Sequence, residues 1–185
     1  MGRGSDADAP ERVSANGKGP RAGTDRVAVE HLFRGNALNA VDAKGRVSVP
    51  AFIRQKIERR SDEKAIVLAR HETFPCLVGY DTRYAGIVAE ENERKRLKEE
   101  DSDPLAHYSR AYLTMGDTGE VPYDGSGRIV LPPRIRRKAG IEDMALFVGV
   151  GGTFEIWNPR IAAERGPAPL AELAADWLEE KGAAS

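Results

Sequence analysis

Apolar residues alternate with polar ones over several short stretches, and a spacing of two is typical of half-buried strands. The alternation is clearest around Val47 and Ile129, where β-branched residues also favour strands. With turn residues between them, these stretches predict four strands in each of two successive segments. The predicted strands span about 36–41, 46–49, 65–69 and 77–80 in the first segment, and about 119–123, 128–131, 145–150 and 154–157 in the second.

Helices are predicted in the stretches between and after these strands. A charged helix is predicted over 81–100, a second helix over 103–115, and a weakly amphipathic one over 169–180. Short helices are also predicted after Pro50 and Pro132, with the proline at the first helical position, where its missing N–H costs little. The apolar face of the second helix consists of Leu105, Tyr108, Ala111, Tyr112 and Met115.

The two segments share an internal repeat. Residues 42–56 align without a gap with residues 124–138, at an offset of 82 positions. Seven of the fifteen aligned positions are identical. The identical pairs are Asp42/Asp124, Gly45/Gly127, Arg46/Arg128, Pro50/Pro132, Ile53/Ile135, Arg54/Arg136 and Lys56/Lys138. We therefore predict a β-rich α+β fold built from two fused halves.

Charge is distributed unevenly, although the formal net charge is only −1. Residues 31–60 contain seven Lys or Arg against two acidic residues, and residues 124–140 contain five against one. Residues 90–103 and 161–185 are acidic, with seven acids against four bases and five against two. Because a phosphate responds to the local field rather than to the net charge, the two basic segments are candidate contacts for nucleic acid.

Each copy of the repeat contains Asp-x-x-Gly-Arg between two predicted strands, at residues 42–46 and 124–128. Asp favours the start of a turn and Gly accepts a positive φ, so the motif predicts a tight hairpin with an arginine at its tip. A two-stranded ribbon fits the major groove of DNA, where arginine donates two parallel hydrogen bonds to guanine. The predicted base-reading residues are therefore Arg46 and Arg128.

Further contacts are predicted around these two arginines. Asp42 and Asp124 either form the turn or orient its arginine by pairing with it. Two alternatives stay open: an ordinary hairpin with an exposed Asp–Arg pair, and a solvated helix face for the basic residues after each proline. Phosphate contacts that position the protein are predicted for Lys44, Arg54, Lys56, Arg134, Arg136, Arg137 and Lys138.

Other kinds of chemistry find little support in the residue types present. Cys76 is the only cysteine, and His31, His71 and His107 have no partners at the spacing of a metal or catalytic site. We therefore expect no metal, no cofactor and no enzymatic activity. No apolar run approaches the roughly 20 residues of a membrane span, and no signal peptide is visible, so we expect a cytoplasmic location.

These motifs resemble those of the MraZ family. The resemblance extends over about residues 33–165 and implies two fused AbrB-like swapped-hairpin halves, which form a pseudo-dimeric barrel with short flanking helices. The family's Asp-x-x-x-Arg motifs map onto the two turns, at Asp42–Arg46 and Asp124–Arg128. The residues that carry the resemblance are Phe33-Arg-Gly35, both turns with the strands and prolines that follow them, Pro75-Cys76 and Phe154-Glu-Ile-Trp157.

The resemblance also implies a function. It predicts a bacterial transcriptional regulator of the division and cell-wall gene cluster, usually a repressor of its own operon, that binds tandem repeats in double-stranded promoter DNA. Family members assemble into rings, commonly of eight or more subunits, so a nucleoid-associated homo-oligomeric ring is expected. The predicted organisation is a disordered extension over 1–30, a first SpoVT/AbrB-like half over 31–100, a second over 101–165 and a C-terminal tail over 166–185.

Other classes of function are weighed against this one. A β-barrel protein-interaction module would show no salt-sensitive affinity for DNA and would tolerate substitution of both arginines. An enzyme would need a convergent nucleophile, base or metal set, which the sequence does not offer. Within DNA binding, an antitoxin-like regulator also uses AbrB-like barrels, but it usually carries a single motif per chain.

Overall fold

The computed structural model of the chain describes residues 32–99 and 104–183. Within them, eight strands occur in two sets of four, at the positions that the alternating pattern predicts. The first set is β1 (Asn36–Ala40), β2 (Arg46–Ser48), β3 (Ala65–Arg70) and β4 (Leu77–Tyr80); the second is β5 (Gly119–Pro122), β6 (Arg128–Val130), β7 (Met144–Gly149) and β8 (Phe154–Trp157). The extension predicted over 1–30 lies outside the described residues.

Helices fill much of the chain between the strands. They are α1 (Ala51–Arg60), α2 (Tyr84–Glu99), α3 (Pro104–Ala111), α4 (Pro133–Lys138), α5 (Pro159–Arg165) and α6 (Ala168–Ala183). A π-helical turn, Tyr112–Gly116, continues α3. The three longer helices predicted from the sequence are confirmed over their described residues as α2, α3 with its π-helical turn, and α6. None of the helices that the structure describes combines the length and the apolar composition of a membrane-spanning segment.

The predicted proline at the first helical position is wrong for α1, where Pro50 precedes the first helical residue as a cap with a φ of −56°. In α4 Pro132 is likewise the cap, with a φ of −57°, but the next residue, Pro133, is a proline that does occupy the first position. Sequence reading also missed α5, in which Asn158 accepts hydrogen bonds from two N–H groups of the first turn and Pro159 takes the first position. The Asn-Pro pair was the available signal, since the seven residues of α5 are too few to show a helical period.

Strands are exchanged between the two segments. A six-stranded antiparallel sheet has the order β1-β7-β8-β4-β3-β5, and β2 pairs with β6 in a separate two-stranded ribbon. The first strand of each segment thus pairs with the third strand of the other, as when Leu38 lies opposite Leu146. Strands β4 and β8 meet at the centre of the sheet. The predicted α+β class is confirmed as a mixed fold with an antiparallel six-stranded sheet and several helices.

Closure of the six-stranded sheet is not seen in residues 32–99 and 104–183. Strands β1 and β5 are its two edges, and no pairing joins them. A bridge between Val41 and Val47 instead connects the end of β1 to the ribbon. The barrel part of the expected fold therefore stays a prediction.

Both faces of the six-stranded sheet are covered. Successive side chains of β7 point in opposite directions, so Phe147 lies in the main core while Leu146 lies in a second cluster on the other face. Ile53 of α1 and Ile129 of the ribbon belong to the main core, which therefore attaches the ribbon to the sheet. Residues of α5 and α6 pack in the second cluster with the fully buried Trp157.

A buried ion pair fastens α1 to two distant loops. Arg60, the last residue of α1, places Nε 2.7 Å from Oδ2 of Asp81. Both of its Nη atoms donate to the carbonyl of Gly152 at 3.1 Å, and its guanidinium lies 4.7 Å from the centroid of the Phe33 ring. A buried charge is costly unless it is paired and hydrogen-bonded, so these partners are what allows Arg60 to be buried.

The apolar face predicted for the second helix is present, but it is largely exposed. Leu105, Tyr108, Tyr112 and Met115, called the α3 apolar face below, are 70%, 57%, 69% and 45% exposed. Leu97 of the neighbouring helix α2 is 59% exposed. Large exposed apolar side chains in one region commonly mark an interaction surface.

Candidate nucleic-acid interface

The first Asp-x-x-Gly-Arg motif forms a tight hairpin turn between β1 and β2. The N–H of Gly45 donates to the carbonyl of Asp42 at 2.8 Å, and the N–H of Asp42 donates to the carbonyl of Arg46 at 3.0 Å. Oδ1 of Asp42 also accepts hydrogen bonds from the N–H groups of Lys44 and Arg46, both at 2.9 Å. Gly45 has a φ of 79°, the left-handed conformation that closes a three-residue hairpin loop and that glycine adopts at little cost.

The second motif repeats this geometry bond for bond. The N–H of Gly127 donates to the carbonyl of Asp124 at 2.8 Å, and the N–H of Asp124 donates to the carbonyl of Arg128 at 2.9 Å. Oδ1 of Asp124 accepts from the N–H groups of Ser126 and Arg128, at 2.9 and 3.0 Å. Gly127 has a φ of 73°. The aligned residues of the two copies therefore share one backbone conformation.

Each aspartate also holds the side chain of its arginine. Nε of Arg46 lies 2.5 Å from Oδ2 of Asp42, and Nε of Arg128 lies 3.0 Å from Oδ2 of Asp124. Both arginine side chains remain 46% exposed. In each turn the hydrogen bond from the arginine's backbone N–H, and after it the one from its side chain, lowers the pKa of the aspartate. The carboxylates therefore stay charged at neutral pH and keep the guanidinium groups aligned.

The ribbon presents both arginines on one exposed face. In its register Arg46 lies opposite Val130, and Ser48 lies opposite Arg128. All four of these side chains are exposed, while the residue between them on each strand is buried in the main core. The two arginines are thus diagonal neighbours, with Cα atoms roughly 7–8 Å apart. A two-stranded ribbon of this kind fits a major groove about 12 Å wide.

Arg54 and Arg136 lie half-buried at the base of the turns. Nε of Arg54 donates to the carbonyl of Val49 at 3.1 Å. Nε of Arg136 donates to the carbonyl of Ile141 at 2.9 Å, and its Nη2 donates to the carbonyl of Glu142 at 2.7 Å. These bonds use one of the five guanidinium N–H donors of Arg54 and two of the five of Arg136. Contact of these arginines with phosphate stays a prediction.

Among the other predicted phosphate contacts, Arg134 lies beside an acidic residue that sequence reading missed. Asp117 lies 2.7 Å from Nη2 of Arg134 and 2.8 Å from Nζ of Lys138. The hydrogen bond from Lys138, with the charge of Arg134 and Lys138 beside it, lowers the pKa of Asp117. No spacing in the sequence links position 117 to position 134, so only the fold brings these residues together.

The other two predicted lysines, Lys44 and Lys56, lie in different surroundings. Lys44 is exposed at the tip of the first turn, where the second copy has Ser126. Lys56 is half-buried on α1, two residues after Arg54. Their contact with phosphate is likewise a prediction.

Groups that could support metal or thiol chemistry are not assembled in the described part of the chain. No set of three or more His, Cys, Asp or Glu side chains is placed there to hold a metal ion. Burial raises the pKa of the Cys76 thiol, which is 2% exposed in the second cluster, so the thiol stays protonated. Nδ1 of His71 accepts hydrogen bonds from the N–H groups of Thr73 and Phe74 in the β3–β4 loop.

Comparison with protein families gives one match within the second copy. A family profile described as "MraZ protein, putative antitoxin-like" matches residues 114–161. This stretch contains the second Asp-x-x-Gly-Arg turn and strands β5 to β8.

Several curated proteins named "Transcriptional regulator MraZ" are similar to this chain over most of its length. The protein of Rhodospirillum rubrum is 35% identical over 154 residues, which covers 80% of this chain and 93% of that protein. The protein of Gluconobacter oxydans is 34% identical over 138 residues, covering 72% and 80% of the two chains. The protein of Rickettsia rickettsii is 35% identical over 132 residues, covering 70% and 83%.

Proposed function

The chain belongs to the MraZ family, and on that premise we propose that it is a sequence-specific DNA-binding transcriptional regulator, a repressor, rather than an enzyme. The names of its relatives support a regulatory role. The observation that carries the more specific proposal is the exposed face of the ribbon. There Arg46 and Arg128 are diagonal neighbours, each aligned by an aspartate of its own turn.

In the proposed complex the ribbon enters the major groove, and each arginine donates two parallel hydrogen bonds to O6 and N7 of a guanine. Nε of each arginine is engaged by its aspartate, and Nη2 of Arg128 also lies 3.0 Å from Oδ2 of Asp124. The Nη N–H groups that the carboxylate does not engage are therefore the ones assigned to the base. Alignment of the guanidinium in the free protein reduces the side-chain entropy lost on binding. Each contact of this type discriminates against a wrong base by about 1–3 kcal/mol.

Positive charge beside the ribbon supplies the proposed contacts to phosphates. We assign them to Lys44 at the first turn, Lys56 on α1 and Arg134 on α4. Arg54 and Arg136 add charge at the base of the turns. Contacts of this kind fix register and orientation, and they make binding salt-dependent.

The exchange of strands supports the interpretation of the fold as two fused halves. We assign residues 31–100 to a first SpoVT/AbrB-like half, 101–165 to a second, and 166–185 to the C-terminal tail. The pairing of β1 with β7 and of β5 with β3 is the reciprocal exchange expected of a swapped-hairpin pseudo-dimer. In this interpretation the ribbon, formed by one strand from each half, lies on the approximate twofold axis.

We further propose that the protein acts as a homo-oligomeric ring of eight or more subunits, as the family resemblance implies. Two arginines reach only a few base pairs, so a single subunit would bind a short site weakly. Linked subunits on tandem promoter repeats multiply modest affinities by roughly 10² to 10⁴. The α3 apolar face, with Leu97 beside it, is the surface best suited to a subunit contact.

The proposed target is double-stranded promoter DNA upstream of the protein's own operon. Repression of division and cell-wall genes is the proposed outcome, and such a regulator works in the cytoplasm at the nucleoid. The gene cluster and the location are proposed from the family resemblance alone.

Binding of the purified protein to its own upstream DNA, beside random DNA of equal length, tests the proposal. Affinity is measured across salt for the wild-type protein and for Arg46→Ala and Arg128→Ala. We expect the wild type to prefer the upstream DNA and to lose affinity steeply with salt. The two variants are expected to keep weak, salt-dependent binding but to lose the preference.

A protein-interaction module is the second candidate function, and the exposed α3 apolar face favours it. This function predicts no preference for the upstream DNA and no effect of either arginine substitution on partner binding. Wild-type protein that fails to bind either DNA at low salt, or variants that bind as the wild type does, would place this alternative first.

A further inference from the structure

Arg54, on α1 of the first half, lies against the turn of the second half. A Cβ atom at position 127 would lie 2.6 Å from Nε of Arg54 and 2.7 Å from its Cδ and Cζ atoms. The side chain of Arg54 therefore occupies the space that any larger residue at Gly127 would need. Gly127 itself is buried, although it belongs to an otherwise exposed turn.

Arg136, on α4 of the second half, lies against the turn of the first half in the same way. A Cβ atom at position 45 would lie 3.0 Å from Nη1 and 3.7 Å from Cδ of Arg136. Gly45 is also buried. Arg54 and Arg136 are an identical pair of the repeat, as are Gly45 and Gly127, and the fold joins each arginine to the glycine of the opposite copy.

Backbone hydrogen bonds also join each turn to the opposite half. The N–H of Val49 donates to the carbonyl of Gly127 at 2.9 Å, and the N–H of Leu131 donates to the carbonyl of Gly45 at 2.9 Å. Nε of Arg54 donates to the carbonyl of this same Val49, so arginine, strand and opposite turn form one hydrogen-bonded chain. Each turn is thus held from the other half by a side chain and by a backbone bond.

We propose that Arg54 and Arg136 are crossed positioning residues: each holds the Asp-x-x-Gly-Arg turn of the opposite half, and through it the base-reading arginine of that turn. Arg54 positions Arg128, and Arg136 positions Arg46. The guanidinium is planar and rigid, so the carbonyl groups that bind Nε also fix the plane that covers the glycine. The effect on base reading rests on the proposed DNA-binding function, but the position of each turn is a property of the protein without DNA.

The two crossed arginines are anchored differently. Arg136 donates to two carbonyl groups in the loop before β7, those of Ile141 and Glu142. Arg54 makes closer contact with its glycine and donates to the carbonyl of Val49 on the strand side of the ribbon. Removal of Arg54 is therefore expected to affect the opposite turn more than removal of Arg136.

Amide hydrogen exchange in the full-length protein without DNA tests the crossing directly. Arg54→Ala is expected to speed exchange of the amides of residues 124–128 by roughly three- to tenfold, with residues 42–46 unchanged. Arg136→Ala is expected to do the reverse. The matched controls are Arg59→Ala on α1 and Arg137→Ala on α4, exposed arginines of the same helices, for which neither turn should change.

Lysine variants keep the test decisive if an alanine variant does not fold. Arg54→Lys retains the charge but not the planar guanidinium, so faster exchange at 124–128 is still expected. The proposal is overturned if loss of Arg54 loosens residues 42–46 instead, or leaves both turns as protected as in the wild type. Either result stands whether or not the protein binds DNA, so failure of this inference is distinguishable from failure of the proposed function.

Salt dependence of DNA binding then separates positioning from phosphate contact. Loss of one phosphate contact lowers the slope of log affinity against log salt by about 0.9. If Arg54 acts by positioning the turn rather than by contacting a phosphate, Arg54→Ala should weaken specific binding with an unchanged slope, whereas Lys44→Ala should reduce the slope. A slope for Arg54→Ala that falls as it does for Lys44→Ala, with turn exchange unchanged, would assign Arg54 to the phosphates.

Discussion

The two Asp-x-x-Gly-Arg turns share their backbone hydrogen bonds, yet the side chains around them differ. On the exposed face of the ribbon, the first half carries Ser48 where the second carries Val130. At the tip, the first turn has Lys44 where the second has Ser126. Duplication has thus preserved the geometry that aligns an arginine, while the neighbouring chemistry differs. If both turns reach DNA, we expect them to prefer different bases beside the guanine.

The helices that follow the turns differ as well. In the second half, Arg134 and Lys138 form salt bridges with Asp117. In the first half the position aligned with Arg134 is Phe52, which is packed against the main core. Residues 133–138 after the second turn contain four Lys or Arg where the aligned residues 51–56 contain two, and an acidic residue competes for the added charge. This contrast suggests substitutions that affect one half and spare the other.

The largest effect is expected from removal of the base-reading arginines. Arg46→Ala and Arg128→Ala should each weaken binding to the upstream DNA by about fivefold to 150-fold, the equivalent of about 1–3 kcal/mol per guanine contact. Fluorescence anisotropy with labelled DNA measures the loss. Arg59→Ala serves as a control for charge alone. Equal losses in the control and in the two variants would contradict a base-reading role.

Alanine at the turn glycines should cost stability in both halves, and more in the second. Both glycines have positive φ, and Gly127→Ala also meets the Arg54 side chain at a closer distance than Gly45→Ala meets Arg136. We expect a loss of about 1–3 kcal/mol in the free energy of unfolding, measured by denaturant titration. Gly125→Ala is the matched control, since a Cβ there meets open space and the aligned residue is Ala43. Similar losses at positions 125 and 127 would show that the opposite half does not hold the turn.

Asp117→Asn should act mainly on the helix after the second turn, with a dependence on pH, since Asp117 pairs closely with Arg134 and Lys138 and only at 3.9 Å with Arg70 of β3. Because the pKa of Asp117 is lowered in the folded protein, its ion pairs stabilise the fold above the ordinary value of 3.8 and cease to do so as pH falls through the lower folded value. At pH 7 we expect the variant to be less stable by roughly 0.5–1 kcal/mol. Melting temperatures measured from neutral to acidic pH should converge at the acid end. A gap that persists there would assign the effect to packing rather than charge.

The same variant offers a second readout on DNA. Without the carboxylate charge, Arg134 and Lys138 should be freer to contact phosphates. Binding to random DNA at low salt should therefore strengthen slightly for Asp117→Asn. Weaker binding would indicate that Asp117 holds Arg134 in its binding position.

The smallest effect is expected from exchange of the side chains next to the arginines. Val130→Ser removes an apolar group that suits a thymine methyl, and Ser48→Val adds one to the other half. A change of about fourfold at one base position is expected, the equivalent of one buried methyl group. Binding to DNA with thymine replaced by uracil measures it. If both variants respond to uracil as the wild type does, these side chains do not contact the bases.

Much of the local structure was predictable from the sequence. The alternation around Val47 and Ile129 predicted the ribbon strands, and the Asp and Gly positions predicted the turns, because these preferences act within a few residues. Helices α2 and α6 were predictable for the same reason. Helix α5 was missed because it is short, although Asn158 and Pro159 signal its start.

The contacts between the two halves were not predictable in the same way. A repeat makes its two copies nearly equivalent, so the sequence cannot show that Arg54 lies against Gly127 rather than Gly45. The pairing of Asp117 with Arg134 joins positions that no local rule relates. The exposure of Leu105 and Tyr108 was also not predictable, because an apolar helical face has the same sequence pattern whether it packs inside the subunit or against another molecule.

If the arginines of the ribbon read guanine, a double-mutant cycle with modified DNA should detect each contact separately. Guanines of the bound site are replaced one at a time by 7-deazaguanine, which pairs normally with cytosine but lacks the N7 acceptor. We expect one guanine at which the replacement weakens binding by the wild type but not by Arg46→Ala, and another at which it weakens binding by the wild type but not by Arg128→Ala. Replacements that weaken the wild type and both variants equally, or that have no effect at any guanine, would contradict the reading of guanine by these arginines.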